Sequence, residues 1–210
     1  MWITSPWLTV RGHRNYIRGV DFYSSTIDLL ESSGATNFRS LSLRFPRFST
    51  KVGQLVLAGS DSFDKSKWKA SPVRIGVMTQ ENTDLRGWYE EQDTEAQRIS
   101  GEENKLVERW EAENKGSMSI NGDELLVRGN SHIPAIEIIV SANKFYLQKR
   151  FSGLPGQWAF SGLDISRVFR KADSQDIRIL FMGDHETKTT SSSIFANGEH
   201  VGMLLFSRIT

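Results

Sequence analysis

Residues 131 to 151 read SHIPAIEIIVSANKFYLQKRF, and this stretch restricts the fold more than any other. On helical spacing Glu137, Ser141, Lys144 and Gln148 line up as one narrow polar stripe. Around it, Ile136, Ile139, Val140, Tyr146 and Leu147 surround a solitary Asn143. A helix that is oily on most sides must be wrapped by something concave. The partner this chain supplies in quantity is antiparallel sheet. Such wrapping buries the Asn143 amide, and an unpartnered amide in an apolar interior costs roughly 1–3 kcal/mol. It therefore needs backbone, water or a ligand to bond to.

The 210 residues suffice for one large domain or two small ones. With 26 basic against 25 acidic residues spread along the chain, no field singles out nucleic acid or an anionic membrane as partner. The absence of cysteine removes thiolate nucleophiles, disulfides and Cys-bound zinc. The opening MWITSPWLTV lacks the charged and apolar regions of a signal peptide, and no apolar run is long enough to cross a bilayer, so a cytoplasmic protein is expected. Phosphate-binding loops, dinucleotide glycine fingerprints, nucleophile elbows and H-E-x-x-H are all missing, and His185 and His200 lack ligand spacing, so no metal site is expected.

Along the chain, Trp2 to Val10 reads as a strand. Val20 to Glu31 reads as an amphipathic helix with Val20, Tyr23, Ile27 and Leu30 inward, Asp21, Ser24, Asp28 and Glu31 in solvent, and Gly34 at its end. Period-two stretches follow around Leu41 to Phe45, Gly53 to Gly59 and Val73 to Val77. SDSFDKSKWKAS reads as a solvated loop. The charged run from about Asp84 to Gly116 fits strand or helix equally. Hairpin turns are expected at Asn121-Gly122 and Asn197-Gly198, with further strands at LDISRVF, DIRILFMGD, TKTTSSSIF and VGMLLFSRI. LSLRFPRFSTKVGQLVL parallels LDISRVFRKADSQDIRIL, placing Leu55 opposite Ile177 and Leu57 opposite Ile179 after one gap. An internal duplication gives two domains, residues 1–100 and 101–210.

SHIPAIEIIVSANK resembles the start of the central helix in hot-dog proteins that handle acyl thioesters, above all the A-factor (γ-butyrolactone) biosynthesis type, whose pattern is D-H-V-P-G-M-x-x-x-E-A-x-x-Q. His132, Ile133 and Pro134 match its H-V-P portion. Ser131 stands in place of the Asp, Val140 of the helix Glu and Lys144 of the Gln. The resemblance implies an α+β double hot dog, two curved antiparallel sheets each wrapping a central helix, as in polyketide dehydratase domains. It implies an enzyme of fatty-acyl or polyketide-type metabolism that dehydrates, transfers or hydrolyses an acyl group on CoA or an acyl carrier protein. The CoA or phosphopantetheine is then part of the substrate, with no further cofactor; a homodimer is compatible with this. The alternative is a non-catalytic hot-dog module that binds acyl chains or a carrier protein.

In related hot-dog enzymes the thioester carbonyl sits near the N-terminus of the central helix, where unpaired N–H groups stabilise negative charge. His132 lies at that mouth as a candidate acid or base, and equally as a turn residue or cap. Pro134 suits the first turn because no donor is needed there. Glu137 is the nearest acid, set against a place in the solvated stripe. Asn143, Pro134 and Ser131 are the candidate substrate contacts. In the first half, Asp28 and His13 of RGHRNYIRG are the groups that could supply a partner to the chemistry.

Overall fold

The computed structural model describes residues 2–8, 16–35, 37–95, 118–128 and 132–209. The chain divides into two units, the first comprising residues 1–101 and 164–168, the second 102–163 and 169–210.

Unit 1 begins with a short strand β1 (Trp2–Thr4), and Leu8 adds an isolated bridge to Gly53. The strand expected to reach Val10 thus stops early; Pro6, which lacks a ladder donor, follows closely. Helix α1 (Gly19–Ser32) comes next, and Gly34 at φ +73° ends it with Ala35 N–H donating to the Leu30 carbonyl. Four further strands follow, β2 (Phe38–Arg44), β3 (Lys51–Gly59), β4 (Arg74–Thr79) and β5 (Asp84–Glu95), in the order β1-β3-β5-β4-β2 with neighbours antiparallel. The run left open between strand and helix is strand over 84–95; its remainder lies outside the described residues.

Two expectations for unit 1 are corrected. Asp21 is buried, not solvated: Arg18 grips its carboxylate through Nη2 at 2.7 Å and Nε at 3.1 Å, closing the first turn of α1. The wheel saw only Asp21's own position and not the neighbouring guanidinium that neutralises it. SDSFDKSKWKAS is not a loop but a 3₁₀ turn at Ser60–Ser62 followed by α2 (Lys65–Ala70). Asp64 caps α2 by accepting from the Ser66 and Lys67 N–H groups. Trp68 and Phe63 then cover Val56, Ala58 and Trp88 on one face of the sheet. On the other face Phe22 of α1 meets Tyr89, ring centroids 5.0 Å apart. With both faces covered, LVLA of β3 is buried at every position.

Unit 2 opens with the hairpin β6 (Met118–Asn121) and β7 (Glu124–Val127). Its two loop residues are Gly122 and Asp123, one place later than expected, because Gly122 rather than Asn121 takes the positive φ of +58°. Then come α3 (Ala135–Arg150), β8 (Gln157–Ile165, whose last two residues are counted with unit 1), β9 (Ile177–His185), β10 (Thr189–Ala196) and β11 (Glu199–Ile209), with strand order β8-β11-β10-β9-β7-β6. The β10–β11 turn places Asn197 at φ +51° and Gly198 at +80°, as expected of an Asn-Gly hairpin. The strand expected at LDISRVF starts earlier, at Gln157, and ends at Ile165; Phe169 lies past it. Helix α3 packs on β7 and β9, and Tyr146 meets Phe181 at 6.0 Å.

In both units a long helix precedes antiparallel strands, and the paired residues Leu55 and Ile177, Leu57 and Ile179 are all buried. The correspondence ends there. In unit 2, β9, β10 and β11 follow one another as hairpins; in unit 1 the segment carrying α2 crosses from β3 to β4, and β5 returns to lie between them.

Gly87 on β5 lies opposite both Leu57 and Ile75, and a Cβ there would meet Leu57 Cδ2 at 2.6 Å and the Val56 carbonyl at 2.8 Å. Gly87→Ala is expected to destabilise the protein by about 1–3 kcal/mol through overpacking, read from the midpoint of denaturant unfolding.

Candidate functional site

The residues singled out in unit 2 cluster along α3. Pro134 occupies the cap position, φ −56° and ψ 136°, one place before the first turn where it was expected. Its carbonyl accepts from Glu137 N–H at 3.0 Å and Ile138 N–H at 3.3 Å. A proline can do this because the cap position requires an acceptor and no donor. The first-turn amides of Ala135 and Ile136 have no acceptor within the helix by geometry alone, and the dipole adds partial positive charge at this end. His132 sits two residues earlier on an exposed turn, and Glu137 is half-buried in the first turn. The mouth of α3 thus carries one imidazole, one carboxyl group and a set of N–H donors.

Deeper along α3, Ile136, Ile138, Ile139, Ala142 and Leu147 are buried, while the stripe of Glu137, Ser141 and Lys144 is only half in solvent. Asn143 is 0% exposed, and neither its Oδ1 nor its Nδ2 has a hydrogen-bond partner among the described residues. A buried amide left with both ends unpaired is rare in folded proteins. At the far end of the helix a cleft of about 160 Å³ opens between Ile120, Gly122, Tyr146, Lys149 and Arg150. Tyr146 donates its hydroxyl to the Gly122 carbonyl at 3.2 Å and accepts from Arg150 Nη1 at 2.7 Å. Burial pushes the Tyr146 phenol above its ordinary pKa, against the pull of Arg150. Arg150 also lies over the Phe181 ring at 4.2 Å, so this end is braced by aromatic and charged contacts.

Asp28 is exposed on α1 of unit 1. His13 and Ser131 lie outside the described residues. Among the described residues no group of three His, Asp or Glu side chains could hold a metal ion, and no helix is long and apolar enough to cross a membrane.

Sequence reasoning missed two further polar groups. Thr190 and Ser192 of β10 are 3% and 0% exposed, and their hydroxyls also lack partners among the described residues. The signal was available: in TTSSSIFA they share parity with Ile194 and Ala196, the buried positions of the strand.

No known family profile matches the sequence, and no curated protein is similar to it in sequence. Solved structures are similar in three dimensions. The tesB protein of Mycobacterium avium subspecies paratuberculosis aligns with a TM-score of 0.50 at 10% identity, over 98% of this chain and 90% of its own. The pyran synthase domain from module nine of the sorangicin pathway aligns with a TM-score of 0.50 at 10% identity, over 97% of this chain and 93% of its own. The chain has a hot-dog fold. The hot-dog likeness read from SHIPAIEIIVSANK therefore holds for the architecture. The dehydratase domain from the CurF module of the curacin polyketide synthase aligns with a TM-score of 0.44 at 7% identity, over 93% of this chain and 84% of its own.

If the Asn143 amide is carried in this hot-dog helix at the expense of stability, an apolar residue of similar size should relieve it. Asn143→Leu is expected to raise stability by about 1–3 kcal/mol. Thermal and denaturant unfolding of the variant beside the parent checks this; a lower midpoint would show that the amide is satisfied.

Proposed function

We propose that the protein binds and processes an acyl thioester, presented on CoA or on the phosphopantetheine arm of an acyl carrier protein, within fatty-acyl or polyketide-type metabolism. The reading takes the two units as the two halves of a double hot dog, since each places a long helix before antiparallel strands. The observation that carries it is α3 itself, a hot-dog helix that buries an unpartnered amide along its length and gathers donors and titratable groups at its start. That a pyran synthase domain shares the fold is in keeping with it.

On this reading the thioester carbonyl lies at the start of α3, where the Ala135 and Ile136 amides favour the oxygen as it gains negative charge. His132 moves the proton, and Glu137 takes the part of the carboxylates that Ser131 and Val140 replace. Asn143 contacts the acyl group. Asp28 and His13 are the proton-carrying candidates of unit 1. The reaction is a dehydration, an acyl transfer or a thioester hydrolysis.

A second reading, a non-catalytic module that holds an acyl chain or a carrier protein, is favoured by one observation. Val140, half-buried on α3, stands where the resemblance expects the helix glutamate.

Incubating the protein with a panel of acyl-CoAs and acyl carrier proteins and following product mass separates the two. Turnover that falls by about 100-fold or more in His132→Ala supports catalysis. Saturable binding without turnover selects the module, and the absence of both refutes the proposal.

A further inference from the structure

The inner face of the unit 2 sheet carries a line of polar groups without hydrogen-bond partners among the described residues. Register fixes their placement. Thr190 pairs with Phe206 and Ser192 with Leu204 across the β10–β11 ladder, and all four are buried on one face. Arg208, two residues beyond Phe206, belongs to the same face and lies diagonally across from Thr190, within reach of a long side chain. Its backbone N–H donates to the Lys188 carbonyl at 2.7 Å, which holds the strand in place there. Arg208 is half-buried as a residue, yet its Nε and Nη1 are fully buried and have no partner among the described residues.

On the other side of β10, Ser192 pairs with Phe181 of β9, the residue that Tyr146 of α3 contacts. The nearest carboxylate by register does not answer the guanidinium. Asp184, opposite Thr190, is exposed and accepts from the Thr187 N–H at 3.0 Å.

These groups share a chemistry. A guanidinium edge only donates, and two hydroxyls can donate as well as accept. A cation whose Nε and Nη1 donors are withdrawn from water gains most from an anionic oxygen that either nitrogen can bond. A plain alkyl chain along this face would leave all of the groups unmet. We infer that the inner face of β10 and β11 is a ligand subsite in which Arg208 holds an anionic oxygen group and Thr190 and Ser192 serve further oxygens of the same ligand. This rests on the acyl-thioester reading for the ligand's carrier. Two sources share the required chemistry: a terminal carboxylate on the acyl chain, or a phosphate of CoA.

Calorimetric titration of the full chain with four thioesters tests it: pentanoyl-CoA, glutaryl-CoA and their phosphate-free pantetheine counterparts. A carboxylate subsite predicts glutaryl over pentanoyl by about tenfold or more on either carrier, the order of one charge-assisted hydrogen bond. A phosphate subsite predicts CoA over pantetheine whatever the acyl group. Either preference should vanish in Arg208→Gln and weaken in the double variant Thr190→Val, Ser192→Ala, with folding of each checked by circular dichroism. Preferences left unchanged in both variants, or equal affinity for all four thioesters, overturn the subsite. Should no thioester bind, the acyl-thioester reading falls. Melting shifts with free glutarate and inorganic phosphate then decide the subsite alone: a shift abolished by Arg208→Gln supports it, and no shift overturns it.

Discussion

The packing of α3 against β7 and β9 is the constraint on which the rest of unit 2 depends. That helix has too little polar surface to stand in water, so the sheet must take its apolar sides, and Tyr146 against Phe181 marks where it does so. Once the helix is seated, Asn143 has nowhere to go but inward. The same seating fixes which alternate residues of β9, β10 and β11 become interior, and so determines that Thr190 and Ser192 are buried beside aliphatic neighbours.

Unit 1 meets a similar demand in another way. Its sheet is covered on one face by α1, through Phe22 on Tyr89, and on the other by Trp68 and Phe63 around α2. The α2 segment also lets the chain pass from β3 to β4 without pairing them, since strands running the same way cannot be joined by a tight turn. Small residues make this possible where layers crowd. Gly87 admits Leu57 and Ile75 from the neighbouring strands because it has no side chain of its own.

Much of this was legible residue by residue. The helix over 135–150, the alternation of Leu41 and Leu43 or of Val73, Ile75 and Val77, and the Asn197-Gly198 turn all follow from local periodicity and backbone preference. The buried amide of Asn143 was foreseen from the helical wheel. Asp21 and α2 were not. A wheel assigns a lone carboxylate to solvent, whereas Arg18 lets it be buried, and a lysine-rich stretch looks like loop until its tryptophan finds a sheet to lie on.

The sequence by itself determined the enclosed helix, because a narrow polar stripe on an otherwise apolar rod leaves no other stable environment for it. It also determined the Asn197-Gly198 turn, since both residues accept the positive φ found there. Which polar groups would end up without partners was decided by tertiary structure alone. Arg208 and Thr190 belong to different strands, and only the register between β10 and β11 sets them on one face, without side-chain partners for these atoms among the described residues. Hydrogen-bond satisfaction is a property of three-dimensional neighbours, so no local pattern could have disclosed its failure there.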